Sequence, residues 1–158
     1  YAALLHDIGK IGIRDHVLLK NGQFSPEERE EMKTHAVKTR AIPERFRFSP
    51  ALRNVPMIAS HHHEKINGEG YPDRLKGPQI HPLSKIIAVA DVFDALTSRR
   101  DYPKYGGDEQ MSSAAMPVER AVSMITENAG VQFEENVVEA FLKSLPRISI
   151  LCGKEEPV

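Results

Sequence analysis

Cysteine is almost absent: Cys152 stands alone among 158 residues, so the chain forms no internal disulfide and offers no thiolate cluster to a metal. Long apolar runs are missing as well. No stretch of about 18 apolar residues occurs, which leaves no membrane-spanning helix in the sequence. Neither sign of charge is in excess: Lys and Arg number 21 against 22 Asp and Glu, a net charge of −1. No basic field is therefore available to hold the backbone of duplex DNA or RNA. A signal peptide, an initiator Met, an internal repeat and a low-complexity linker are also missing. Together these absences point to a reducing, cytoplasmic setting. Tyr1-Ala2-Ala3-Leu4-Leu5 opens in mid-pattern, so the N-terminus reads as cut from something longer.

What is present suits one globular domain. Hydrophobic residues make up 41% and charged residues 27%, too apolar for a disordered chain and long enough to bury a core. Residues 1–145 are expected to form that domain and residues 146–158 a C-terminal tail. Ser25-Pro26-Glu27-Glu28 is a capping box with Pro at the first helical position, which predicts a helix over 26–41. Ser49-Pro50 repeats the device, with Pro56 kinking or delaying a second helix that runs into His61-His62-His63-Glu64. Gly and Pro between Asn67 and Pro82 predict a loop. From Pro82 to about Ser98, Leu83, Ile86, Ile87, Ala90, Phe93 and Leu96 give a broad apolar face, hence a central helix covered almost all round. Pro103 to Ala115 reads as irregular. Pro117 opens a helix stopped by Asn128-Ala129-Gly130, and a last helix spans 134–145, with Ile148 to Cys152 a short edge strand or a packed tail. Sustained alternation is missing, so the fold class is all-α.

Seven histidines are the unusual feature. His6-Asp7 places an imidazole beside a carboxylate at a helix end, where the two can serve one metal jointly or the carboxylate can bridge to a second. Asp91 lies within Ile87-Ala88-Val89-Ala90-Asp91-Val92-Phe93, and an unpaired carboxylate in so apolar a helix costs several kcal/mol. It is either neutralised by a cation or protonated, and the wealth of histidines favours the cation. Asp94 shares its face. Asp7 to His35 is 28 residues, His35 to His62 is 27 and His63 to Asp91 is 28, each interval one helix with its connection. Successive helices can thus deliver ligands to one cavity of a bundle. A set larger than four side chains, mixing imidazole and carboxylate, suits two or more divalent transition-metal ions. Fe or Mn come first and Zn or Ni after them, rather than Ca or Mg.

His6-Asp7-Ile8-Gly9-Lys10, His62-His63-Glu64 with Gly68-Glu69-Gly70-Tyr71-Pro72, and Val89-Ala90-Asp91-Val92-Phe93-Asp94-Ala95-Leu96-Thr97 occur in this order. They resemble the signatures of the HD-GYP family, a branch of the HD phosphohydrolase superfamily whose members are bacterial phosphodiesterases acting on cyclic di-GMP. The resemblance covers residues 1 to about 145. It implies an HD-domain helical bundle with a metal site in its core, in which His6, Asp7, His35, His62, His63 and Asp91 are ligands. Asp7 bridges two ions and His61 is left as the extra histidine. It further implies that Lys10 reaches the substrate phosphate, so that Asp7 and Lys10 carry catalysis, and that Asp94 and Arg100 sit in the substrate pocket. Gly70-Tyr71-Pro72 lies beside the site, on the substrate side, and contacts partners such as diguanylate cyclase domains. A regulatory domain ahead of Tyr1 and a homo-oligomer fit the same resemblance.

The implied reaction is metal-dependent hydrolysis of cyclic di-GMP to pGpG, and onward to GMP where the opened product rebinds. Another cyclic dinucleotide such as cyclic GMP-AMP, a mononucleotide, or a non-catalytic binding or interaction module are the alternatives. Departures from the family pattern bear on this. The family's further ligands, a Glu or His and another His, come from helices upstream of the His-Asp doublet and do not occur in this chain, so the set here is incomplete. The 158 residues alone are expected to be weakly metallated and self-associating, with Ala2, Leu4 and Leu5 lacking partners. After Arg100, Asp101-Tyr102-Pro103-Lys104 shifts the usual basic position by one. Phe133-Glu134-Glu135 replaces the usual helix cap. Gly106-Gly107-Asp108-Glu109 has the look of a diguanylate-cyclase signature but lacks the following aromatic, flanking hairpin strands and a domain's worth of chain.

Overall fold

A computed structural model of the chain describes residues 1–42, 48–98, 104–106, 109–111 and 115–151, with side chains outside 104–106, 109–111 and 149–151. The described residues build an all-α arrangement of helices α1 (Ala2–Leu5), α2 (Asp15–Leu18), α3 (Pro26–Ala41), α4 (Val55–Ser60), α5 (Pro82–Thr97), α6 (Val118–Glu127) and α7 (Glu135–Leu151). A 3-10 helix at Ile8–Gly12 follows α1, and shorter 3-10 turns lie at Pro50–Leu52 and Gly77–Gln79. Among the described residues no helix is long and apolar enough to cross a membrane.

Helix α3 starts where its capping box dictates. The Ser25 hydroxyl accepts from the Glu28 amide at 3.2 Å, the Glu28 carboxylate accepts from the Ser25 amide at 2.7 Å, and Pro26 opens the first turn. Its inward face is polar, with His35 and Thr39 buried on either side of Ala36. Helix α5 organises two apolar clusters. Phe93 and Leu96 join Ala121, Ile125, Phe133 and Val138 in the larger one, with the Phe93 and Phe141 rings 5.1 Å apart edge to face. Ile87 joins Ala2, Val55, Ile58 and Ala59 in the smaller one. The histidine-bearing segments meet on the α1 and α4 side.

Several expectations change. Helix α5 is not covered all round, since Leu83 is 50% and Ile86 51% exposed and Ala90 lies on the same open face. Of Ala2, Leu4 and Leu5, only Leu4 lacks cover, at 85% exposure, because Ala2 and Leu5 pack on Val55, Ile58 and Ala59. Pro56 delays the fourth helix rather than kinking it. That helix begins at Val55, with Pro56 in the first turn where its missing N–H costs nothing, and stops at Ser60, leaving His61, His62 and His63 in a turn. Helix α7 runs past 145 through Pro146 to Leu151 because Leu145 and Ile148 still find the main core. The edge-strand alternative at 148–152 is thereby overturned through 151. Within the segment read as irregular, β1 (Lys104–Gly106) pairs antiparallel with β2 (Glu109–Met111), Gly106 opposite Glu109. The lack of hairpin strands is therefore no ground for setting aside Gly106-Gly107-Asp108-Glu109. The missing aromatic and the isolation of this two-stranded sheet among the described residues are.

Candidate metal centre

Three histidines are aimed by the same local device. His6 at the end of α1, His35 within α3 and His62 after α4 each place Nδ1 2.7 Å from the carbonyl oxygen three residues back, those of Ala3, Met32 and Ala59. A carbonyl only accepts, so Nδ1 carries the proton and Nε2 faces outward from the helix, with a lone pair left on the buried His35 and His62. The three Nε2 atoms converge on Asp7. Its Oδ1 lies 3.5 Å from His35 Nε2 and 3.9 Å from His62 Nε2, and its Oδ2 lies 3.4 Å from His6 Nε2 and 2.6 Å from Lys10 Nζ. Asp91 on α5 closes the other side, with Oδ1 3.5 Å from His6 Nε2. His63 packs its ring 3.9 Å from that of His62 and 5.0 Å from that of His35.

The donor set fits a cation. Asp7 Oδ1, His35 Nε2 and His62 Nε2 are buried without a hydrogen-bond partner, and three such atoms crowded together lose solvation unless a positive charge replaces the water. Ligand atoms of His35, His62 and His63 form one group within 4.8 Å of one another, and those of His6, His62 and Asp91 form a second. Borderline metals of the Fe, Mn, Zn and Ni kind take such mixed nitrogen and oxygen sets.

Electrostatics divides the histidines. Burial pushes His35 below its ordinary value, His62 down to about 4 and His63 well below its ordinary value, so all three are neutral with lone pairs available. His6 goes the other way, pushed up to about 10 by hydrogen bonds to Asp7 and then Asp91. Burial is the largest influence on both carboxyls and pushes them up, but the interactions with His6 and His62 together outweigh it at Asp91, and those with His6 and Lys10 do so at Asp7, which ends far below the usual range. The sign of the resulting pH dependence is fixed. With its folded value above the unfolded 6.5, His6 stabilises the metal-free protein fully below pH 6.5 and loses that contribution as pH rises through about 10. Thermal melts of the metal-free protein across that interval should fall, and a His6→Gln variant should fall less. Parallel profiles would refute the His6 pairing with the carboxylates.

The backbone that carries His6-Asp7 is held to α3 at Thr39. The Gly9 amide donates to Thr39 Oγ1 at 3.0 Å, and that hydroxyl donates to the His6 carbonyl at 2.9 Å. Of the residues named from sequence, His6, Asp7, Lys10, His35, His62, His63, Asp91 and Tyr71 come together. The Tyr71 ring lies 4.7 Å from that of His63, and Gly70 packs against the backbone of His63 to Lys65. Pro72 follows Tyr71 through a cis peptide bond. Asp94 sits one turn farther along α5, exposed, accepting from the Ser98 hydroxyl at 2.7 Å. Arg100 lies outside the described residues, as does Lys104 as a side chain. The Glu134 side chain pairs with that of Lys85, while its carbonyl accepts from the Val138 amide at the start of α7 at 3.1 Å. A groove of about 870 Å³ between Ile66, Lys76, Pro78 and Glu134 contains none of the histidines. Sequence reasoning missed Thr39, bonded to Gly9 and His6 30 and 33 residues away, and the Arg40 to Asp73 pair 33 residues apart, and it left His61 idle.

A family model described as an HD domain matches residues 1–137. A cyclic di-GMP phosphodiesterase of Thermotoga maritima is 43% identical over 158 residues, covering 99% of this chain and 39% of the relative. A 3'3'-cGAMP-specific phosphodiesterase 3 of Vibrio cholerae is 35% identical over 144 residues, 91% of this chain and 28% of the relative. The chain thus spans about two fifths or less of the length of these relatives. A crystal structure of a cyclic GMP-AMP-specific phosphodiesterase of V. cholerae superposes with a TM-score of 0.61 at 22% identity over 97% of this chain and 39% of that one, a likeness of fold. The chain belongs to the HD domain family and carries the signatures of its HD-GYP branch.

Proposed function

We propose that this chain is the catalytic domain of a metal-dependent phosphodiesterase acting on cyclic dinucleotides, with cyclic di-GMP as substrate, pGpG as product, GMP as a second product and bacterial second-messenger signalling as its setting. The observation that carries the reading is the convergence of buried, unpartnered Asp7 Oδ1, His35 Nε2 and His62 Nε2. His6, His35, His62, His63 and Asp91 would hold the ions. Asp7 turns one oxygen toward His35 and His62 and the other toward His6, so it would be the ligand shared between the two donor groups. Divalent ions held there supply Lewis-acid polarisation of the phosphoryl group and a lowered pKa for water.

The chain's own groups do the rest. Lys10, about a third exposed beside Asp7, pairs with a phosphate oxygen entering from solvent. Arg100 takes a second phosphate oxygen and Asp94 borders the pocket, as the family resemblance assigns them. The walls of α3 and α5 fix the phosphodiester for in-line displacement of one ring oxygen. The names of the relatives support cyclic di-GMP, and that of the V. cholerae relative supports cyclic GMP-AMP as the second reading. Contact with a diguanylate cyclase domain along Gly70-Tyr71-Pro72 would use the loop's outer edge, since the Tyr71 ring is turned toward His63.

Elemental analysis together with turnover of cyclic di-GMP, cyclic GMP-AMP and bis(p-nitrophenyl) phosphate tests the proposal. Hydrolysis of a cyclic dinucleotide with at least one bound ion per chain is expected. Chelation should abolish turnover and lower the melting temperature by about 5–10 °C if the ion is present at about 100 times its dissociation constant. Binding of the dinucleotide without hydrolysis at full metal occupancy would sink the enzymatic reading in favour of a binding module.

A further inference from the structure

The candidate metal centre leaves four polar groups without a task. Glu64 is 4% exposed, and a carboxylate buried that far needs both oxygens satisfied. The loop after the cis peptide bond satisfies it: Oε1 accepts from the Asp73 amide at 2.6 Å and Oε2 from the Leu75 amide at 2.8 Å. Asp73 then reaches back. Its Oδ2 accepts from buried His61 Nε2 at 2.8 Å and from Arg40 Nη1 on α3 at 2.6 Å. The loop is thereby tied to the residue before the His62-His63 pair, to the residue after it, and to the helix that carries His35.

The pair needs such a tie. It sits in a turn, beyond the last turn of α4, and the four imidazoles of the cluster are not restrained alike. His6, His35 and His62 are each fixed by a carbonyl at Nδ1, whereas no hydrogen bond among the described residues fixes the His63 ring. Ring faces restrain it instead: His62 at 3.9 Å, His35 at 5.0 Å and Tyr71 at 4.7 Å with 32° between planes. Two of these walls are themselves candidate ligands, so Tyr71 is the wall that remains outside the metal set. Its own backbone amide donates to the His63 carbonyl at 3.2 Å. Gly70 lies so close that a Cβ there would stand 2.6 Å from the same carbonyl oxygen.

We infer that the 70–75 loop is the positioning device of His63, with Tyr71 setting the ring and Glu64, Asp73 and His61 locking the loop onto the His62-His63 turn. The inference rests on the metal reading above, and it makes these four positioning residues, not ligands. Mn2+ affinity measured by chelator competition, with the two positions resolved, separates the possibilities. Tyr71→Ala, Asp73→Ala and Glu64→Gln, the last turning an amide donor toward a backbone amide, should each weaken the position served by His35 and His63 about 10- to 100-fold. The position served by His6 and Asp91 should be weakened less, because His62, common to both groups, keeps its own hold on the Ala59 carbonyl. Tyr71→Phe keeps the ring and Asp73→Asn keeps an acceptor for His61 and Arg40, so both should stay within roughly twofold of the parent.

A purely structural role would act differently, lowering the melting temperature of the metal-free protein and weakening both positions alike, and that result would overturn the inference. So would unchanged affinity at both positions in Tyr71→Ala, which removes a half-buried ring and does not depend on Glu64→Gln folding. A parent protein that takes up no Mn2+ would overturn the metal reading and this inference together, whereas normal uptake with insensitive variants would overturn this inference alone.

Discussion

Replacing Asp7 with Ala should empty both metal positions at once and take hydrolysis of cyclic di-GMP with them, a larger effect than any other single substitution in the cluster. An imidazole Nε2 has one lone pair and serves one ion, but a carboxylate has two oxygens. Here Oδ1 faces His35 and His62 while Oδ2 faces His6 and Lys10. Losing an outer-shell partner typically costs about 10- to 100-fold in affinity or activity, and losing the shared ligand should exceed that range at both positions. The variant also leaves the Lys10 ammonium without its nearest anion, so positive charge is left uncompensated on top of the ligand loss. Asp91→Ala is the contrast, since Asp91 meets His6 but not the His35 side, and it should empty one position and leave the other. Arg100→Ala, assigned to phosphate, should keep both ions and lose turnover. Metal counts per chain together with turnover decide the matter, and an Asp7→Ala protein that retains both ions refutes the bridging assignment.

Much of this centre was legible because its ligands come from local patterns. The Ser25 capping box fixed α3 and so the place of His35. The apolar run around Asp91 announced a central helix with a carboxylate it could not bury alone, and spacings of 28, 27 and 28 residues predicted that separate segments would converge. The illegible parts depend on distant partners. Nothing near Asp73 announces that Arg40 and His61 will both bond to it, nor does the run Lys38-Thr39-Arg40 show that Thr39 will hold the His6-Asp7 backbone. The end of α4 was misplaced for a related reason. Apolar periodicity runs on through Ala59, but the pull of the loop on Glu64 and His61 favours a turn at the histidines over one more helical turn. The open face of α5 was misread because periodicity shows which residues are apolar, not whether a neighbour covers them.

Gly9→Ala tests a place where backbone meets backbone beneath the centre. Gly9 is buried where the 3-10 helix of Ile8–Gly12 crosses α3, and a Cβ added there would lie 2.0 Å from the His35 carbonyl oxygen and 2.5 Å from the Thr39 amide nitrogen. Both are main-chain atoms within a helix and neither can rotate aside. The 3-10 helix must lift off α3, which breaks the Gly9 to Thr39 hydrogen bond and with it the hold of Thr39 on the His6 carbonyl. Overpacking of this kind costs about 1–3 kcal/mol, and a buried donor left unpaired about 1–3 more. A drop in melting temperature on the order of 10 °C should result. Metal affinity should fall as well, because His6 and Asp7 ride on the displaced segment while His35 stays on α3. Two controls make the result specific. Gly12→Ala should be tolerated, since its Cβ would meet only the flexible Lys38 side chain, whose Cδ is nearest at 2.9 Å. Trimming Thr39 to Ala beside Gly9→Ala should bring no rescue, because the nearest clashes are with backbone, and recovery of melting temperature and Mn2+ binding in that double variant would show that a side chain set the limit.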